Sequence, residues 1–96
     1  MKKLKRHNLY KVIWLDAASD SKWTNEDDVR KYVVKLEKGM VNYGIFLFET
    51  DHMYIFASGA SKEYLDGKKD DEDNDIFDFF AVPKKMILSI KIVSKQ

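Results

Sequence analysis

A mainly β domain carrying one helix is expected from this chain on three observations. Tyr43 to Ser58 reads as two apolar strands joined by a short polar turn, Thr50-Asp51-His52. Thr24 to Gly39 carries helix start and stop chemistry around apolar positions spaced i, i+3, i+4, i+7. Met86 to Val93 alternates, with Met86, Leu88, Ile90 and Ile92 on an inward face and Ser89, Lys91 and Val93 outward.

In chain order, Met1 to Asn8 is a basic arm, expected to be flexible and solvated. Leu9 to Asp16 is the first strand. Tyr10, Val12 and Trp14 share one face and Leu9, Ile13 and Leu15 the other, so both sides want cover. Ala17 to Trp23 is a loop rich in turn formers. Trp23 stands alone among polar residues: it is expected to plug one end of the core, and its other reading is an exposed recognition ring.

Thr24 is the expected N-cap of a helix over about 25–37, with Glu26, Asp27 and Asp28 complementing the helix dipole in the first turn. Its apolar stripe is Val29, Tyr32, Val33 and Leu36, and Gly39 supplies the C′ position. Met40 to Glu49 and Met53 to Gly59 form the hairpin, with Gly44 marking a bulge or bend. Tyr43, Ile45 and Leu47 are expected inside. That leaves Phe46, Phe48, Tyr54 and Phe56 outside unless the helix, a loop or another subunit covers them. Ser61 to Asp75 is a solvated loop, Ile76 to Val82 a fourth strand, and Pro83-Lys84-Lys85 a tight corner before the fifth.

Five short strands leave exposed edges unless the sheet closes. Closure into a strongly bent small barrel, SH3-like or Sm-like, resolves this, with the helix capping one end. Residues 9–94 then form a single domain bearing the acidic loop 61–75. An open α+β sheet with the helix on one face is the alternative.

Composition narrows the chemistry. The 96 residues contain no cysteine, which removes thiol catalysis and Cys-based zinc sites. The net charge of +1 gives no global drive toward nucleic acid. Charge is nevertheless uneven: the first eleven residues carry +5, Ser61 to Asp78 carry −5, and the last eighteen carry +4. The run Asp70-Asp71-Glu72-Asp73-Asn74-Asp75 lacks the glycine and closing glutamate of a calcium loop, so no metal is expected there. No signal peptide and no apolar run of membrane-spanning length is visible, and a soluble intracellular protein with no membrane partner is expected.

Val12-Ile13-Trp14-Leu15-Asp16-Ala17, then Trp23, the Tyr43-Gly44 hairpin, and Val82-Pro83-Lys84 ahead of an apolar strand form a recognisable series. In it the chain resembles a group of short, mostly uncharacterised small β-barrel proteins of tailed bacteriophages and prophages. The likeness covers most of residues 9–93. It implies a small barrel acting in the cytoplasm of a bacterial host cell. The loop 61–75 and the absence of a proline near Leu36 depart from the pattern.

Catalysis finds little support. His7 and His52 are the only histidines, one in the arm and one in a turn, and neither is placed for a Ser/His/Asp triad. Gly39, Gly44, Gly59 and Gly67 are scattered singles, not a phosphate loop. No cofactor is expected. Binding remains, in three forms. The first is a protein-interaction or self-assembling module directed at a host protein. The second is a homo-oligomer that sequesters a small anionic signalling nucleotide of bacterial immunity. The third, less favoured, is an Sm-like RNA binder, which the acidic segment opposes. The candidate binding residues are Trp23, Tyr43, Tyr54, Lys84 and Lys85.

Overall fold

The computed structural model describes residues 3–16, 23–67 and 75–95. Five strands form one antiparallel sheet: β1 (Leu9–Trp14), β2 (Met40–Glu49), β3 (Met53–Ala60), β4 (Ile76–Pro83) and β5 (Ile87–Ser94), in the order β4-β3-β2-β1-β5. The helix α1 (Glu26–Glu37) lies between β1 and β2, and a single-turn helix α2 (Lys62–Leu65) follows β3. The expected acidic run 70–75 lies outside the described residues, except for Asp75.

The sheet is bent but open. β4 and β5 are its two edges and do not pair with each other, so the expected closed barrel is not formed. One end is nonetheless drawn together. Only the 3-10 turn Lys84–Met86 separates Pro83 from Ile87, so the two edges lie within roughly 14 Å there, the reach of four residues. Leu15 N–H donates to the Met86 carbonyl at 2.7 Å and Lys84 N–H to the His52 carbonyl at 2.8 Å, fixing that corner to both neighbours.

Register decides which face is core. Phe46 pairs with Phe56, and Phe56 with Phe80. Tyr10 pairs with Gly44, and Val12 with Ile90. This concave face holds the buried cluster Leu4, Tyr10, Val12, Phe46, Tyr54, Phe56 and Val82, with Trp14, Phe80, Ile87 and Ile90 packed against it. The aromatic rings meet edge to face: Phe46 lies 6.4 Å from Tyr10, 5.9 Å from Tyr54 and 5.7 Å from Phe56. The expected interior of the hairpin is therefore inverted. Tyr43 is exposed and Ile45 half-buried, while Phe46, Tyr54 and Phe56 are buried. Leu47 is buried as expected, because the register shifts between Phe46 and Phe48 and the extra residue turns inward.

Bulges also overturn the simple alternation of β5. Ser89 pairs with Ile13 but Ile87 pairs with Trp14, which leaves Leu88 as the extra residue. Ile87 takes the core position and Leu88 turns out to solvent.

Gly44 permits the crossing at the centre of the sheet. A Cβ there would stand 2.7 Å from Phe56 Cβ and 2.7 Å from Phe80 Cζ. The empty position lets the Phe80 ring stack on Phe56 with centroids 5.2 Å apart.

The arm is partly anchored. Lys5 and Arg6 stay exposed, but Leu4 and Asn8 are buried. Lys5 N–H donates to Tyr10 Oη at 2.8 Å, and His7 N–H to the Phe46 carbonyl at 2.7 Å. α2, in a stretch expected as loop, holds this segment from the other side. Ser61 caps it by accepting from Tyr64 N–H at 3.2 Å, and the Tyr64 ring lies 4.8 Å from His7.

The helix behaves differently from the expectation. Its N-cap is Asn25, whose Oδ1 accepts from Asp28 N–H at 2.9 Å, and it ends at Gly39 with φ +84°. It caps no end of the sheet: none of its residues is buried, and Val29, Tyr32, Val33 and Val34 are all exposed.

Candidate functional site

Two regions present chemistry. The first is the corner where the β2–β3 turn meets the 3-10 turn. The turn is tied by Thr50: its Oγ1 accepts from Met53 N–H at 3.1 Å, and its N–H donates to the Met53 carbonyl at 2.9 Å. Pro83 opposes Met53 across β3 and β4 and delivers Lys84 beside Glu49, with Lys84 Nζ 2.5 Å from Glu49 Oε2. Lys84 Nζ also lies 5.1 Å from the centre of the Tyr54 ring. Burial pushes the Tyr54 hydroxyl pKa upward; the Glu49 charge adds to this and Lys84 opposes it. Next to this cluster opens a cleft of ≈ 460 Å³ lined by Asp51, His52, Met53, Pro83, Lys84, Lys85 and Met86.

Of the five residues singled out in the sequence, this corner brings together Tyr54, Lys84 and Lys85. Their roles differ. The Tyr54 ring is buried in the core and has no free face to stack on. The Lys84 charge is engaged by Glu49, and Asp51 lines the same cleft as Lys84 and Lys85. The corner is a mixed-charge site, not a strongly cationic one.

Tyr43 lies elsewhere, on the convex face of β2. Trp23 lies outside the core altogether: its relative exposure is 103%, so it plugs nothing. Trp23→Ala is expected to change stability by less than about 0.5 kcal/mol, as at other surface positions without buried contacts. A urea-denaturation midpoint clearly below wild type would contradict that placement.

The second region is the convex face of the sheet. Ile45 pairs with Ala57, Ala57 with Phe79, and Gly59 with Phe77. Directly opposed residues share a face, so Val41, Tyr43, Phe77 and Phe79 all project away from the core. Phe77 and Phe79 are each 71% exposed. Val41, Phe77 and Phe79 are not among the binding residues expected from the sequence. The available signal was two large rings alternating with Asp78 on a strand next to a charged loop.

His7 has a perturbed titration. Its Nε2 is buried without a hydrogen-bond partner. Burial lowers its pKa below 6.5, the Arg6 charge lowers it further, and a backbone hydrogen bond at Leu65 opposes both. The folded value lies below the unfolded one, so this stabilisation is complete above pH 6.5 and is lost as pH falls through 6.5 toward the folded value. A lower denaturation midpoint at pH 5.5 than at 7.5 is expected. In His7→Asn, which tolerates the positive φ of 72° at this position, the difference should shrink. An unchanged difference would remove His7 as the source.

Among the described residues there is no group of three or more His, Cys, Asp or Glu side chains able to hold a metal ion. No helix among them is long and apolar enough to cross a membrane. Comparisons with protein-family models, with curated proteins and with solved structures return no match.

Proposed function

We propose that this protein is a non-enzymatic interaction module whose working surface is apolar: the stripe of α1 together with the convex face of the sheet. The observation that carries this reading is the exposure of Val29, Tyr32 and Val33 on a helix with no buried residue, alongside Phe77 and Phe79 on β4. An amphipathic helix gains most of its stability from packing its apolar face. Scattered apolar side chains on a surface are ordinary, whereas contiguous ones mark contact surfaces. The resemblance to tailed-phage small-barrel proteins supports self-assembly or a host protein as the interaction made by this surface, and the bacterial cytoplasm as the place of action. On the same reading the bent, open sheet is a variant of the small barrel. The test compares capture by wild type with capture by a Phe77→Ser/Phe79→Ser variant from the same bacterial extract, supplemented with a differently tagged copy of the chain. A partner held by wild type and lost by the variant supports the reading; equal recovery overturns it.

A second reading, a small anionic nucleotide bound at Lys84 and Lys85, draws support from the cleft beside them. The engagement of Lys84 by Glu49 counts against it. A thermal-shift screen with cyclic nucleotides decides: no shift with any of them sinks this reading. RNA binding has less in its favour, since Lys84 is engaged by Glu49 and Asp51 lines the same cleft.

A further inference from the structure

We infer that the occupant of the apolar surface is a second copy of this chain, with α1 of each copy laid on the convex sheet face of the other. This inference rests on the interaction reading above and names its partner.

Exposed apolar surface is the first argument. Val29, Tyr32, Val33 and Val34 on α1, and Val41, Tyr43 and Phe79 on the convex sheet face, are each at least 41% exposed. Contiguous apolar side chains of this kind mark contact surfaces, and a stable protein–protein interface takes about 800 Å² from each partner.

Shape and chemistry are the second argument. α1 leaves the sheet at Gly39, which sits against Ile13 and Leu88, and returns no apolar residue to its own core. It is about 18 Å long at 1.5 Å per residue, long enough to cross the spacing of three or four strands. The face it would cross is apolar along Val41, Tyr43, Ile45 and Phe79. On the same face Tyr43 pairs with Lys11 and Lys11 with Lys91. The first turn of α1 carries Glu26, Asp27 and Asp28, so the charged start of the helix complements the basic border of that face.

Symmetry is the third argument. Each copy carries both halves of the contact, a projecting apolar helix and an apolar sheet face. Reciprocal exchange satisfies both halves at once and closes as a two-fold dimer, so no further copy is recruited.

Light scattering on the full chain at tens of micromolar is expected to give twice the 11.3 kDa mass. Val33→Glu on the helix and Phe79→Lys on the sheet should each weaken the dimer at least tenfold, with far-UV circular dichroism retained because both side chains are exposed. The chain has no cysteine, so a cross-link can be placed at will. Mixed Val33→Cys and Tyr43→Cys proteins should form a covalent heterodimer on mild oxidation, well above what either forms alone. A dimer untouched by either charged variant, or no mixed cross-link, overturns the inference. So does a monomer at every concentration. A monomer that still binds an apolar-surface dye leaves the broader interaction reading in place. One that binds no dye overturns both.

Discussion

Phe46→Ala is expected to destabilise the protein by roughly 3–5 kcal/mol, the cost of deleting a buried phenylalanine and leaving a cavity. Phe46 is 4% exposed and touches three aromatic rings: Tyr10 on β1, and Tyr54 and Phe56 on β3. The site has little means to collapse. Its neighbours are held by backbone pairing: Phe46 N–H donates to the Asn8 carbonyl at 3.0 Å, and His7 N–H donates to the Phe46 carbonyl at 2.7 Å. The loss should therefore fall toward the upper part of that range and also loosen the anchored N-terminal segment. Small domains hold few kcal/mol in reserve, so much of the population would unfold at 37 °C. Urea denaturation followed by tryptophan fluorescence measures it. A midpoint equal to wild type would mean that Phe46 faces solvent.

That residue also shows where sequence and structure part. The strand positions were legible because apolar runs are bounded by unmistakable breaks: Asp16 after the first, Gly39 before the second, Thr50-Asp51-His52 in the hairpin, Asp75 before the fourth. The helix was legible from its acidic start and glycine stop. The facing of the hairpin was not. With apolar residues on both sides of β2, alternation alone names two faces without ranking them. The ranking comes from Gly44, a position with no side chain on the face where Phe80 must cross, and from the bulge that turns Leu47 inward. The first depends on β4 lying beside β3 and the second on the pairing of β2 with β3. The same limit applies to the candidate site. Lys84 and Lys85 were found because proline marks the corner, but the Glu49 that engages Lys84 lies thirty-five positions away. Val41 and Phe79 come to share one surface only through the pairings of β2 with β3 and β3 with β4. An amphipathic stripe on α1 was evident from spacing; that none of its residues is buried was not, because periodicity states which face is apolar and not what covers it.

Gly44→Ala is expected to cost roughly 1–3 kcal/mol, and Gly44→Val more, through overpacking at the centre of the sheet. The argument is one of space, not of backbone freedom. The added Cβ would stand 2.7 Å from Phe56 Cβ and 2.7 Å and 2.8 Å from two atoms of the Phe80 ring. The ring could swing aside, because Phe80 is only half-buried. Phe56 Cβ could not, since it is one bond from the backbone of a fully buried central strand residue. Truncating Phe80 in the same chain should accordingly relieve part of the cost and leave the rest, which a double-mutant cycle would read as a coupling smaller than the single effect. Full relief would place the whole clash on the ring; no relief would mean that Phe80 does not cross Gly44. The consequence reaches the surface. The stack of Phe80 on Phe56 ties β4 to the core from its concave side, with Phe77 and Phe79 projecting from the convex side of the same strand. A substitution that displaces Phe80 should therefore weaken dimerisation more than its effect on stability alone would, and Gly44→Ala sedimentation at fixed folded fraction separates the two.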